Sequence, residues 1–172
     1  MTRQNLLLLA LGIVIYFGII NRQQTIESAV NMALDTTNLM RGERLNNPFN
    51  IIKSTNAWQG LSADQSADPY FATFNDALYG IRAGVKLIST YFEKYGLNTV
   101  RGIISKFAPP SENNTQAYIQ AVAKTLQITP DTPLNLDQDS AFALAKAIIN
   151  HEQGRIIYDD ALIAQGVNMG LA

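Results

Sequence analysis

Arg41-Gly42-Glu43-Arg44-Leu45-Asn46-Asn47-Pro48-Phe49-Asn50-Ile51, closed by Trp58-Gln59-Gly60, is the stretch whose reading decides the fold. Before it the apolar residues recur at helical spacing, and after it they alternate, so the stretch marks a passage from helix to extended chain. Asparagines around a proline build a turn, because Asx side chains bond their own backbone and tolerate left-handed dihedrals. The same residues suit a sugar-binding cleft, where amides meet hydroxyl and acetamido groups and an indole packs on a ring. Asn46, Asn47, Asn50 and Trp58 are therefore candidate substrate-binding residues, and Tyr118 is a further aromatic platform. A purely structural role in turn or core is the alternative for each.

Composition narrows the chemistry. At 172 residues with 47% hydrophobic content, the chain is one domain with an extension and can bury a proper core. A net charge of −1, with both signs interspersed, gives no nucleic-acid footprint. There is no cysteine, and His151 is the one histidine. Thiol chemistry, disulfides and cysteine-bound zinc are thereby excluded, and a zinc hydrolase would need more histidines. No metal and no cofactor are expected. A serine triad through His151 has no nucleophile-elbow motif behind it. Carboxylates remain.

Residues 6–20 carry no polar group except the Tyr16 hydroxyl, and 18 uncharged residues separate Arg3 from Arg22. As helix these would reach about 27 Å, against a hydrocarbon core of roughly 30 Å. No small-x-small cleavage site follows, so the pattern predicts a retained membrane span at residues 5–21 rather than a signal peptide. The expected domains are an anchor at 1–22 and a folded domain at 23–172.

Helical spacing continues from Thr25 to Met40. Short strands are expected at 49–53, 58–61 and 70–74, forming a small antiparallel sheet. Further helices are expected at Tyr79–Tyr95, stopped by Gly96, and around Val100–Phe107, capped by Asn98 and ended by Pro109-Pro110. Another follows Ser111 or Asn114, and one from Asp139 or Ser140 runs to Gln153 and stops at Gly154. A last turn or two, capped by Asp159 or Asp160, precedes Gly166. The result is an α+β plan, mostly helical. It is also the plan of the lysozyme superfamily, in which an acid glutamate stands where the first helix meets the sheet.

Several motifs in one order carry a family resemblance: Arg41-Gly42-Glu43-Arg44 with Asn46–Ile51, Trp58-Gln59-Gly60-Leu61, Gly80-Ile81-Arg82-Ala83, Ala108–Thr115 and His151-Glu152-Gln153-Gly154. Through them the chain resembles small phage and prophage virion structural proteins, those of marine membrane-containing phages among them. The resemblance implies a virion protein, held in the viral internal membrane, that degrades peptidoglycan. Its partners would be wall glycan strands, the lipid membrane and other virion proteins, and not nucleic acid. The Asn46–Ile51 and Trp58–Gly60 run also resembles a segment of wall glucosaminidases. The alternative is a non-catalytic virion membrane or glycan-binding protein of the same fold.

Glycosidases need a proton-donating carboxyl, and a lytic transglycosylase needs only one, since the sugar's 6-hydroxyl is the nucleophile. Glu43 has the lysozyme topology, at the end of the first helix beside the asparagines, but Arg41 and Arg44 flank it and favour its ionised form. It reads equally as an ion-pair residue. Glu112 lies in a first helical turn, where the macrodipole suits a carboxylate, so capping competes with catalysis there. Glu152 follows Phe142, Ala145, Ile148 and Ile149 on a buried stripe and ends its helix. Burial and the helix C-terminus both disfavour a negative charge there, as a general acid requires. The alternative is a buried structural glutamate bonded to Arg82 or Arg155. His151, one position round the helix, is expected to face solvent or bond a carbonyl.

Overall fold

A computed structural model describes residues 22–26, 39–111 and 113–172. The chain divides into two compact units, Met1–Leu39 and Met40–Ala172. Within the first, residues 22–26 are helical. The expected membrane span at 5–21 and most of the helix expected at Thr25–Met40 lie outside the described residues. Among the described residues no helix is long and apolar enough to cross a membrane. The expectation of a single-pass membrane protein is withdrawn on that finding.

Six helices build the second unit among the described residues: α1 (Arg41–Arg44), α2 (Ala77–Tyr95), α3 (Val100–Phe107), α4 (Thr115–Thr125), α5 (Gln138–Gln153) and α6 (Asp160–Leu171). The starts of α2 to α6 are fixed by side-chain acceptors that satisfy orphan N–H groups. Asp76, Thr99, Asn114, Asp137 and Asp159 each accept from a backbone N–H of the first turn. Gly96 (φ 65°) and Gly154 (φ 68°) end α2 and α5 in the left-handed conformation that a side chain would strain. The cap expected at Asn98 falls instead on Thr99, and the helix expected from Asp139 or Ser140 starts at Gln138 with Asp137 as its cap.

No strand forms among the described residues, so the expected α+β fold with a small sheet is corrected to a helical one. Residues 51–53, 60–62 and 70–75 do lie side by side, with Ala72 N bonding Ile51 O at 2.9 Å and Lys53 N bonding Tyr70 O at 2.8 Å. Only isolated antiparallel bridges result, Ile52 with Phe71 and Leu61 with Phe74. Side chains have taken the places a ladder would use. Asn47 donates to Ile51 O (2.9 Å) and Ala72 O (2.8 Å) and accepts from Ile51 N (2.9 Å). Gln65 brackets Thr73 at both its N–H and its C=O, and Asp68 accepts from Tyr70 N and Phe71 N. Asn46 donates to Phe74 O at 3.1 Å. The lysozyme plan loses its sheet, and with it the helix–sheet junction that singled out Glu43.

Packing centres on α2. Its Gly80 and Gly84 face the 46–49 loop, while Ile81 and Val85 face α6 across Gly166 and Gly170. Gly166 is thus not a stop but half of a small-residue strip, and α6 runs on to Leu171. Phe49 is fully buried and meets Phe107 edge-on at 6.3 Å, and Phe107 meets Tyr118 edge-on at 6.4 Å. Burying a phenyl ring of this kind contributes about 1.5–3 kcal/mol.

A Cβ on Gly84 would come within 2.2 Å of the fully buried Phe49 ring. Alanine would gain roughly 1 kcal/mol of helix propensity, but overpacking costs about 1–3 kcal/mol. Gly84→Ala is therefore expected to lower the melting temperature. A melt at or above that of the wild type would mean the Phe49 contact is looser than described.

Candidate functional site

Glu43 points into the protein. Its side chain is 1% exposed, and Arg155 holds it with two bonds, Nε to Oε1 at 2.9 Å and Nη2 to Oε2 at 2.7 Å. Met40 N donates to Oε2 as well, at 2.9 Å. The Arg155 hydrogen bonds hold the carboxyl below its usual range, with burial opposing and the Met40 N–H helping. Arg41 turns instead to Asp68 in a second two-bond pair, at 2.6 and 2.8 Å. Glu43 is therefore an ionised anchor between α1 and the chain after α5.

Glu152 opens into a cleft of about 420 Å³ whose lining includes Asn50, Asn56, Trp58, Tyr91, Phe107 and Asn113. Its carboxylate is gripped by two neutral donors. Asn50 Nδ2 reaches Oε2 at 2.8 Å, and the Tyr118 hydroxyl reaches Oε1 at 2.7 Å. Neither Arg82 nor Arg155 touches it, so proton exchange at Glu152 breaks no ion pair. Burial, and then the negative charge of Glu152, push the Tyr118 phenol far above its usual range, so it stays a donor at any working pH. His151 stacks on Tyr118 with centroids 3.6 Å apart, and burial lowers its pKa against the pull of Glu152.

Local sequence explains this placement. Asn50 sits at φ 48°, a left-handed dihedral that asparagine tolerates, and this aims its amide at the end of α5. Gln153, 1% exposed, donates to Pro48 O at 2.9 Å and lies 3.5 Å from Asn50 Oδ1. A Cβ at Gly42 would fall 2.3 Å from the Gln153 amide nitrogen and 2.7 Å from Asn50 Oδ1. The Arg41–Ile51 and His151–Gly154 motifs, the second with Arg155 just beyond it, are thus two halves of one construction.

Of the expected site residues, the structure brings together Glu152, Asn50, Trp58 and Tyr118. Asn46 and Asn47 spend their amides on the backbone, and Glu43 is absent from the cleft lining. Tyr118 is buried and orients Glu152 through its hydroxyl, which a sugar platform would not do. Trp58 does line the cleft, and its Nε1 has no partner. Glu112 lies outside the described residues. Asn56, Tyr91, Phe107 and Asn113 were not singled out from sequence, though Asn113 stands within the Ala108–Thr115 motif. Among the described residues no three His, Asp or Glu side chains gather as metal ligands. Chemically, the arrangement is one oriented carboxyl group able to pass a proton, in a cleft of aromatic and amide side chains.

No family model matches the chain. Over 133 residues, 76% of its length, it is 37% identical to "Protein P5" of Pseudoalteromonas phage PM2, and the match covers 81% of that protein.

The two glutamates should separate by stability. Glu43 is depressed, so its contribution is full above the unfolded value near pH 4.3 and is lost as pH falls through the folded value. Glu43→Gln is expected to cost roughly 1.5–3 kcal/mol at neutral pH and to flatten part of the acid limb. Thermal melts from neutral to acid pH measure both. An unchanged acid limb would exclude the pairing with Arg155 as a stabilising contact.

Proposed function

The chain belongs to the family of protein P5 of Pseudoalteromonas phage PM2, and from that membership and the Glu152 cleft we propose a phage virion protein that cleaves the glycan strands of peptidoglycan. The observation that carries the chemistry is a carboxyl group held by Asn50 and Tyr118 at the floor of an open cleft, with no cation on it. Glu152 gives its proton to the glycosidic oxygen as the C1–O bond breaks. It then takes the proton of the sugar's own 6-hydroxyl as that oxygen closes on C1. The product is an anhydro-sugar, and Glu152 ends protonated as it began. One carboxyl group suffices, and among the described residues Glu152 is the one carboxylate that lines the cleft. A two-carboxylate hydrolysis has less support for that reason.

The surrounding groups fit the same substrate. Trp58 supplies an aromatic face, and Asn56 and Asn113 supply amides for acetamido and hydroxyl groups. Asn50 and Tyr118 are positioning residues, because they act on sugar only through Glu152. As a virion component the protein would also contact other virion proteins.

Glu152→Gln keeps the size of the side chain, an acceptor for the Asn50 amide and an N–H that the Tyr118 oxygen can accept, so stability should change by less than about 1 kcal/mol. Clearing of peptidoglycan should nevertheless fall by about 10²–10⁴-fold. Mass analysis of the released muropeptides should show ends lighter by one water. Reducing ends would instead indicate hydrolysis. Undiminished clearing by Glu152→Gln would remove Glu152 as the acid, and a wild type that clears no wall would leave a non-catalytic virion protein. Tyr118→Phe should lower turnover about tenfold with little change in KM, by releasing one carboxylate oxygen.

A further inference from the structure

A second hollow adjoins the cleft. It has a volume of about 420 Å³ and shares Asn56, Trp58 and Leu87 with the first, so one groove runs past both sides of the indole. Its far wall is the α2 face bearing Arg82, Lys86 and Thr90, three residues spaced one turn apart. Arg82 and Lys86 make no ion pair: the salt bridges among the described residues use Arg41, Arg101, Lys146 and Arg155. Two unpaired cations with adjacent amide and hydroxyl groups, in a hollow continuous with a carboxyl-bearing cleft, make an anion site beside a reaction site.

Taking wall glycan as the ligand of the Glu152 cleft, we infer that the Arg82–Lys86 hollow is a subsite for the carboxylates of the peptide stem. A strand of N-acetylated sugars without lactyl or peptide groups is uncharged along its length, so it gives these cations nothing to pair with. Peptidoglycan differs from such a strand by a lactyl-linked peptide on alternate sugars, and that peptide carries free carboxylates. A strand lying over Trp58 with one sugar at Glu152 would present a stem to the next part of the groove. There Arg82 offers a planar fork that matches a carboxylate, and Lys86 a mobile point charge. The groove would therefore select strands whose stems carry free carboxylates over strands whose stems are amidated, and binding would weaken with salt.

The test compares binding of the full chain to intact sacculi and to sacculi whose free stem carboxylates have been converted to neutral amides with carbodiimide and ammonia. It is run in the Glu152→Gln background so that no strand is cut. Arg82→Gln with Lys86→Gln should weaken binding to intact sacculi about three- to tenfold and leave amidated sacculi unaffected, with an unchanged melting temperature. Added salt should erase the preference of the parent protein and not change that of the variant. Equal losses on both wall forms, no loss on either, or a parent that binds neither would overturn the subsite. Salt-sensitive preference for intact sacculi in a wild type that never releases sugar would instead support the subsite while removing the chemistry proposed for Glu152.

Discussion

The Asn50 amide joins two parts of the chain about a hundred residues apart. Its nitrogen donates to Glu152 at 2.8 Å and its oxygen faces the Gln153 nitrogen at 3.5 Å. Closing a loop of that length costs about 4 kcal/mol by chain entropy alone, whereas one hydrogen bond contributes about 1 kcal/mol net. The amide therefore does not hold the closure. Burial of Phe49, Ile148 and Ile149, each fully inside, supplies that stability. What the amide fixes is register, since both of its groups must meet their partners at once. Gly42 tightens the same junction, because any side chain there would displace Gln153 or Asn50.

From that junction follow two opposite environments for two glutamates. Arg155, just past the Gly154 turn, folds back to Glu43 and is thereby kept from Glu152. A guanidinium placed on Glu152 would favour the carboxylate and oppose proton donation. Tyr158 completes the Glu43 side, where burial and then the negative charge push its phenol up to about 12. The ion pair thus stabilises the fold and leaves the cleft carboxyl with neutral donors.

Much of this was legible in the sequence, and the failures have physical causes. Gly96, Gly154, Asn114 and Asp159 act as the stops and caps their residue types dictate. The sheet was misread because alternation reports burial, not pairing. Phe49 and Ile51 are buried while Ile52 is exposed, and Phe74 and Ala72 are buried while Tyr70 is exposed. That period-two pattern is real, but amides from Asn46, Asn47 and Gln65 satisfy the backbone in place of a ladder. The ion-pair reading of Glu43 was legible but its partner was not, because the counter-charge comes from 112 positions away rather than from the flanking arginines. Gly166 reads as a terminator by type, and only its contact with Ile81 shows it to be a packing residue.

The cleft has two unlike walls, and this bears on the pH at which a general acid could work. Helices α2, α3 and α5 form one wall, through Leu87, Tyr91, Phe107 and Glu152. The other, around residues 50–58, is tied to the 65–72 segment by the Lys53 ammonium on the carbonyls of Gln65 and Asp68. Asp68 is the fixed point of that segment, since it accepts from Arg41, Tyr70 N and Phe71 N. The Arg41 hydrogen bonds hold its carboxyl well below the usual range, against the effect of burial. A depressed carboxyl keeps its ion pair as pH falls, losing it only at the lower, folded value. Glu43 and Asp68 therefore both stay ionised into the range where an ordinary carboxyl gains its proton. The two ion pairs that hold the frame of the cleft thus persist under acid conditions that would protonate an unpaired carboxyl.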